Sequence, residues 1–204
     1  MNAASLIQAV KDRFREAVTG AHSYRGDATV LLCRELLLEV ARALKDDAVF
    51  RMNMLVDLTA VDFSSFGKKR PPAFFASSGV AVGPSPEIPD QDPWPGPPAH
   101  PPGAGATLAR FVVVYHLFSL PLKHRLRLEV PVEDVEEADP EVDSVTSVWA
   151  GADWLEREVW DMFGIRFRGH PNLKRILMYD EFVGHPLRKD YPVNKRQPLI
   201  GPVY

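Results

Sequence analysis

The chain has 204 residues, 46% of them hydrophobic, and a formal net charge of −3. That is enough apolar material for a core, without the positive excess that holds a nucleic-acid backbone. Its single cysteine, Cys33, cannot close an internal disulfide, and no apolar run approaches the roughly 20 residues that span a bilayer. The opening "MNAASLIQAVKDRF" carries charge too early and too evenly for a secretory signal, so a soluble cytoplasmic protein is expected.

Leu6, Ile7, Val10, Phe14, Ala17 and Val18 recur at helical spacing and predict an amphipathic helix over 3–18. "TVLLC" (29–33) reads as a short buried strand. "RELLLEVARALKDD" then puts Leu36, Leu37, Val40 and Leu44 on one helical face. "MNMLVDLTAVDF" (52–63) is a further strand. After it, 11 of the 19 prolines fall between Pro71 and Pro102, so 67–107 is expected to be a long insertion between two strands.

Beyond the insertion, "RFVVVYHLF" (110–118) and "HRLRLEVPV" (124–132) predict a hairpin. Leu126, Leu128 and Val130 alternate with Arg125, Arg127 and Glu129, as in a sheet with one wet face. "EDVEEADPEVD" has seven acids in eleven residues and is expected to be a solvated linker; "SVTSVW" (144–149) reads as a strand. "GADWLEREVWDMFG" (151–164) predicts a helix with Gly164 capping its end. The order of elements gives an α+β fold: a mixed, largely antiparallel sheet packed with helices, followed by an extended C-terminal tail. Residues 1–183 would form the domain and 184–204 the tail.

On the last helix the apolar stripe is taken to be Trp154, Leu155, Val159, Met162 and Phe163. That places Glu158 on the stripe and Glu156 in solvent. Two readings of Glu158 stand at this point: a solvated stripe edge, or an ion pair with Arg175 or Arg188, because a bare buried carboxylate costs too much. Glycine-rich phosphate loops, dinucleotide fingerprints, nucleophile elbows and HExxH helices are all absent from the sequence. "Gly-His-Pro" occurs twice, at 169–171 and 184–186. The simpler account of it is a turn with a polar handle; the sharper one is a metal-dependent enzyme using His170 and His185.

"WLEREVWDMFGIRFRGHPNLKRIL" followed by "GHPLRKDYP" resembles the family of the C subunit of bacterial proton-pumping NADH:quinone oxidoreductase, respiratory complex I, called the 30-kDa subunit in mitochondria. The matching positions are Glu156, Arg157 and Glu158; Asp161 to Ile165, including Phe163 and Gly164; His170, Pro171 and Arg175; and His185, Pro186, Arg188, Lys189, Asp190 and Tyr191. The resemblance implies that these residues form a structural or partner-binding signature, with no catalytic, cofactor or metal site in this chain. FMN, iron–sulfur clusters, NADH and quinone would be handled by neighbouring subunits. The implied partners are the D (49-kDa) subunit and the B and I subunits of the hydrophilic arm. No nucleic acid is expected, and the membrane would be met only through the complex, on the cytoplasmic side of the bacterial inner membrane. An equivalent subunit of a related membrane-bound hydrogenase or another electron-donor dehydrogenase is the alternative.

From Arg166 to Arg196 there are eight basic residues against three acidic ones. With Leu187, Tyr191 and Val193 as anchors, the tail is expected to lie on a partner, Arg188 reaching a carboxylate or carbonyl there.

Overall fold

The computed structural model describes residues 2–64, 109–134 and 139–197. The expected insertion at 67–107, part of the acidic run and the last seven residues lie outside these.

Helix α1 (Ala3–Arg13) begins where the Asn2 side chain accepts the Ser5 N–H at 2.8 Å, and it buries Leu6 and Val10. It stops five residues earlier than its periodicity suggests. Phe14 leaves the helical region and its carbonyl accepts the N–H groups of Ala17 and Val18. Val18 instead opens a strand absent from the sequence reading, β1 (Val18–Tyr24), paired antiparallel with β2 (Asp27–Leu32). Arg25 (φ 51°) and Gly26 (φ 90°) make the tight turn between them, both in the left-handed region that a two-residue hairpin of this hand requires. A short 3-10 turn, Arg34–Leu36, leads into α2 (Leu37–Asp46), which buries Leu37, Val40, Ala41 and Leu44.

Strands β3 (Met54–Asp62), β4 (Phe111–Ser119) and β5 (His124–Val132) complete a five-stranded sheet of order β1-β2-β5-β4-β3. Every pairing is antiparallel except β2 with β5. The register aligns Leu58, Tyr115, Leu128 and Val30 in one row on one face, all buried. Leu6, Val10, Val40, Leu44, Val159 and Phe163 from the three helices join the same core. On the opposite face Arg125, Arg127 and Glu129 alternate as expected.

Residues 144–149 are not a strand. The N–H groups of Val148 and Trp149 both reach the Val145 carbonyl at 2.9 Å, so the segment coils into a turn that still buries Val145, Val148 and Trp149. The strand here is β6 (Glu141–Asp143), inside the run expected to be a solvated linker, pairing in parallel with β7 (Arg166–Arg168). Arg168 neutralises the acids flanking the buried Val142, lying 2.6 Å from Asp143 and 3.7 Å from Glu141. Pairing with a basic strand thus makes an acidic segment structural.

Candidate functional site

Helix α3 (Ala152–Phe163) ends at Gly164, which adopts φ 73°. Its core face is Ala152, Glu156, Val159 and Phe163, the four-three-four spacing of one helical side. This reverses the expected roles of two carboxylates. Glu156 is wholly buried, whereas Glu158 is exposed, one turn along from an exposed Trp154. The error came from placing the large Trp154 indole inside; the stripe that faces the sheet carries a glutamate instead.

Glu156 Oε1 accepts the Val145 N–H at 2.7 Å, fastening α3 to the 144–149 turn, while Oε2 has no hydrogen-bond partner. Burial pushes its carboxyl up to about 7, against the opposing pull of the Ser144 hydroxyl and the Val145 N–H. Burial also drives the enclosed Tyr115 phenol well above its ordinary range, and the charge of Glu156 adds to that.

Beside the core face runs a polar stripe at fourfold spacing: Asp153, Arg157 and Asp161. It holds the backbone of segment 170–178 along the helix. At its start, His170 Nε2 lies 3.1 Å from the Asp153 carbonyl and 3.2 Å from its carboxylate. Nδ1 accepts the Asn172 N–H at 3.0 Å, so the ring proton sits on Nε2. In the middle, Arg157 donates to the carbonyls of Lys174 and Arg175, both at 3.2 Å, with its guanidinium 4.9 Å from the Trp154 ring. At the far end, Asp161 Oδ2 accepts three consecutive N–H groups, from Ile176, Leu177 and Met178, at 3.1, 2.9 and 2.9 Å.

Arg175 pairs with Asp161 at 2.5 Å, not with Glu158. It also donates to the carbonyls of Phe182 and Gly184, at 3.0 and 3.3 Å, tying the loop back on itself. Burial alone would raise the Asp161 carboxyl. The N–H groups of Met178, Leu177 and Ile176, with Arg175, outweigh it and hold the group below the usual carboxylate range.

The second Gly-His-Pro segment closes the end of α3, where helical carbonyls lack partners. His185 Nδ1 meets the Asp161 carbonyl at 2.9 Å, the Leu187 N–H meets Met162 at 3.1 Å, and Arg188 Nε meets Phe163 at 2.5 Å. The carbonyl expected on a partner for Arg188 is therefore this chain's own, and a cation sits where the helix dipole favours one. A Cβ on Gly164 would lie 2.5 Å from Arg188 Nη2 and 2.6 Å from the His185 ring, so besides straining the positive φ it would push aside the two side chains that close the helix.

The tail then reaches β3. The Lys189 N–H donates to Asp62 Oδ2 at 2.8 Å, and Arg110 gathers Asp62, Asp134 and Asp190 at 3.4, 2.6 and 2.7 Å. Tyr191 stacks on Phe182 with ring centroids 6.0 Å apart. Phe163 is in the core, Pro186 is half-buried and Pro171 is exposed. Nearly every signature residue therefore engages the chain itself, except Glu158 and Pro171. Sequence reasoning missed Asp153, Asp62 and Arg110. The Asp-x3-Arg-x3-Asp spacing could have revealed the first; the other two are 48 residues apart and gave no signal.

The two histidines contact opposite ends of α3, about 12 Å apart along the axis at 1.5 Å per residue, so they cannot share a metal ion. Among the described residues no group of three or more His, Cys, Asp or Glu is arranged to hold one.

The family model described as "Respiratory-chain NADH dehydrogenase, 30 Kd subunit" matches residues 30–197. The chain is 42% identical over 194 residues to the C subunit of the NADH-quinone oxidoreductase of Citrifermentans bemidjiense, covering 94% of this chain and 92% of that one. The same subunit of Geobacter sulfurreducens is 37% identical over the same shares, and that of Coxiella burnetii (strain RSA 493 / Nine Mile phase I) 38% over 98% and 79%. Among solved structures, a chain of the membrane-bound sulfane sulfur reductase, an archaeal respiratory membrane complex, superposes with a TM-score of 0.61. It covers 94% of this chain and 86% of its own at 16% identity, which shows a shared fold.

Proposed function

Since the chain belongs to the family of the respiratory-chain NADH dehydrogenase 30 kDa subunit, we propose that it is a structural subunit of the peripheral arm of a proton-translocating NADH:quinone oxidoreductase. In this reading it transfers no electrons. It braces neighbours that carry FMN and iron–sulfur clusters between NADH and quinone, with the D subunit as main contact and B and I nearby. It sits on the cytoplasmic side of the inner membrane; no helix among the described residues is long and apolar enough to cross a bilayer. The signature residues work from within, fixing the loop and tail that neighbours meet.

The observation that carries this reading is where the family's motif goes. Asp161, Arg157, Arg175 and Arg188 all bond to backbone, and so hold the shape of 170–188. That is the work of a scaffold. Four relatives at 35–42% identity are each the C subunit of an NADH-quinone oxidoreductase, which favours this reading over a hydrogenase counterpart. Affinity purification of the tagged chain from solubilised membranes, with mass spectrometry, tests it. NADH-binding and quinone-binding dehydrogenase subunits should accompany the chain; hydrogenase subunits, or none, would refute it.

A further inference from the structure

The five-stranded sheet has two edges, β1 and β3, and they are finished differently. β3 is guarded. A register shift between Leu55 and Asp57 breaks its line, Asp57 Oδ1 takes the Leu58 N–H at 2.9 Å, and Asp62 holds the N–H groups of Ser64 and Lys189. A bulge and inserted carboxylates of this kind keep further strands off an edge. β1 has no such guard: Val18–Tyr24 contains no proline and no acidic, lysine or arginine side chain, and its irregularity falls at its start, between Val18 and Gly20.

The two-residue turn at Arg25 and Gly26 fixes which backbone groups of β1 face out. Tyr24 and Asp27 close that turn and exchange their N–H and C=O groups, and pairing alternates back along the strand from there. His22 and Gly20 therefore bond to β2, while Ser23 and Ala21 point both backbone groups away from it. Among the described residues neither outward N–H has a partner. Ala21 is half-buried and Ser23 exposed, and their side chains are too small to cover the edge.

We propose that the open edge of β1 receives an extended strand from a neighbouring subunit, bonded through the N–H and C=O groups of Ala21 and Ser23. The proposal rests on the subunit reading above and adds where one contact is made and by what chemistry. The occupant follows from the edge itself. Two donors and two acceptors recur at the strand spacing of about 6.8 Å between alternate residues. Another strand's backbone matches that row, whereas a single side chain or a lipid headgroup does not. A second copy of this chain fits less well. Gly20, Ala21 and Ser23 bring little apolar surface, so two chains joined along β1 alone would fall short of the ~1,200 Å² of a stable interface. A strand that belongs to a larger subunit contact is not held to that limit. β1 gains in turn, because Gly20-Ala21-His22-Ser23 has little strand preference of its own and a second neighbour would complete it.

Proline separates the edge from the fold, because it removes an N–H and is tolerated on an edge strand where that N–H faces outward. Full-length tagged Ala21→Pro and Ser23→Pro chains are compared with wild type in cells that make the complex. His22→Pro, which deletes a bond to β2, is the folding control and should lower the Tm of the purified chain, while the other two should melt close to wild type. The complex retained per tagged chain should fall at least tenfold for Ala21→Pro and Ser23→Pro. In wild type, amide hydrogen exchange across 20–24 should slow at least tenfold on assembly. If Ala21→Pro melts as low as His22→Pro, Ser23→Pro and the exchange measurement decide. Wild-type retention by the folded variants, with exchange unchanged on assembly, overturns the proposal. Protection already complete in the purified monomer overturns it too, since another part of this chain would then fill the edge. A concentration-dependent dimer that the proline variants lose would overturn it in favour of a second copy. A wild-type chain that brings down no NADH-oxidising complex removes the subunit reading and the proposal with it.

Discussion

Removing the Asp161 carboxylate strikes the point where helix, loop and tail meet. Its two oxygens accept three backbone N–H groups and the Arg175 guanidinium. A hydrogen bond to a charged group is worth about 1.5–3 kcal/mol, but the four act as a unit and water can reach part of the loop once it loosens. Breaking a buried pair by deleting one partner costs about 3–5 kcal/mol, so about 4 kcal/mol is expected for Asp161→Ala. Asp161→Asn keeps one acceptor, which can serve either the N–H groups or Arg175, and should lose about half as much. For a chain of this size 4 kcal/mol corresponds to a Tm lowered by about 10 °C. Urea denaturation followed by tryptophan fluorescence measures it, with Glu158→Ala as a surface control expected within about 0.5 kcal/mol. Limited proteolysis should cut Asp161→Ala within 173–184 first. Asp161→Ala and Glu158→Ala costing the same small amount would refute the reasoning, since it would mean that the clasp contributes nothing.

Glu156→Gln should change the pH dependence of stability. With a folded pKa of about 7 against an ordinary 4.5, the folded state holds the extra proton, so stability falls as pH rises between those values, by about 3 kcal/mol in all at 1.36 kcal/mol per unit. The glutamine variant should lack this slope and be the more stable chain at pH 8, as urea titrations across pH 5–8 would show. For Asp161 and Asp62, whose carboxyls are held low, the sign is opposite: their contribution is complete above the ordinary carboxylate range and disappears as pH falls through the depressed values. Gly164→Ala should cost about 2 kcal/mol or more, from the left-handed backbone together with displacement of Arg188 and His185, read by thermal melting. Arg188→Lys should be milder than Arg188→Ala, because an ammonium can still meet the Phe163 carbonyl but not also Gly164; hydrogen exchange at 185–191 should rank them.

The strongly patterned elements were legible. The β4–β5 hairpin occupies 111–132 with its charged face outward, and Gly164 ends α3 in the conformation its position implied. What failed had a physical reason each time. In β1, the run Thr19-Gly20-Ala21-His22-Ser23 has too little hydrophobic alternation to announce a strand, and only its partner β2 defines it. Val145, Val148 and Trp149 have strand composition but a turn's hydrogen bonds, since burial constrains side chains without fixing the backbone. The phase of α3 could not be read from hydrophobicity when a buried face includes Glu156 and an exposed ridge includes Trp154. The motif residues were singled out by resemblance; their contacts, mostly side chain to backbone, leave no trace in residue pairing.

The end of α3 is completed by residues made well after it. At roughly 5–20 residues per second, synthesis separates Phe163 from Arg188 by about 1–5 s, and through that interval the carbonyls of Asp161, Met162 and Phe163 lack the partners that 185–188 supply. The bonds that close the end of α3 thus wait for Arg188 to emerge. A product terminated near residue 183 would display a frayed helix end, so completeness of translation is written into the shape of this part of the surface.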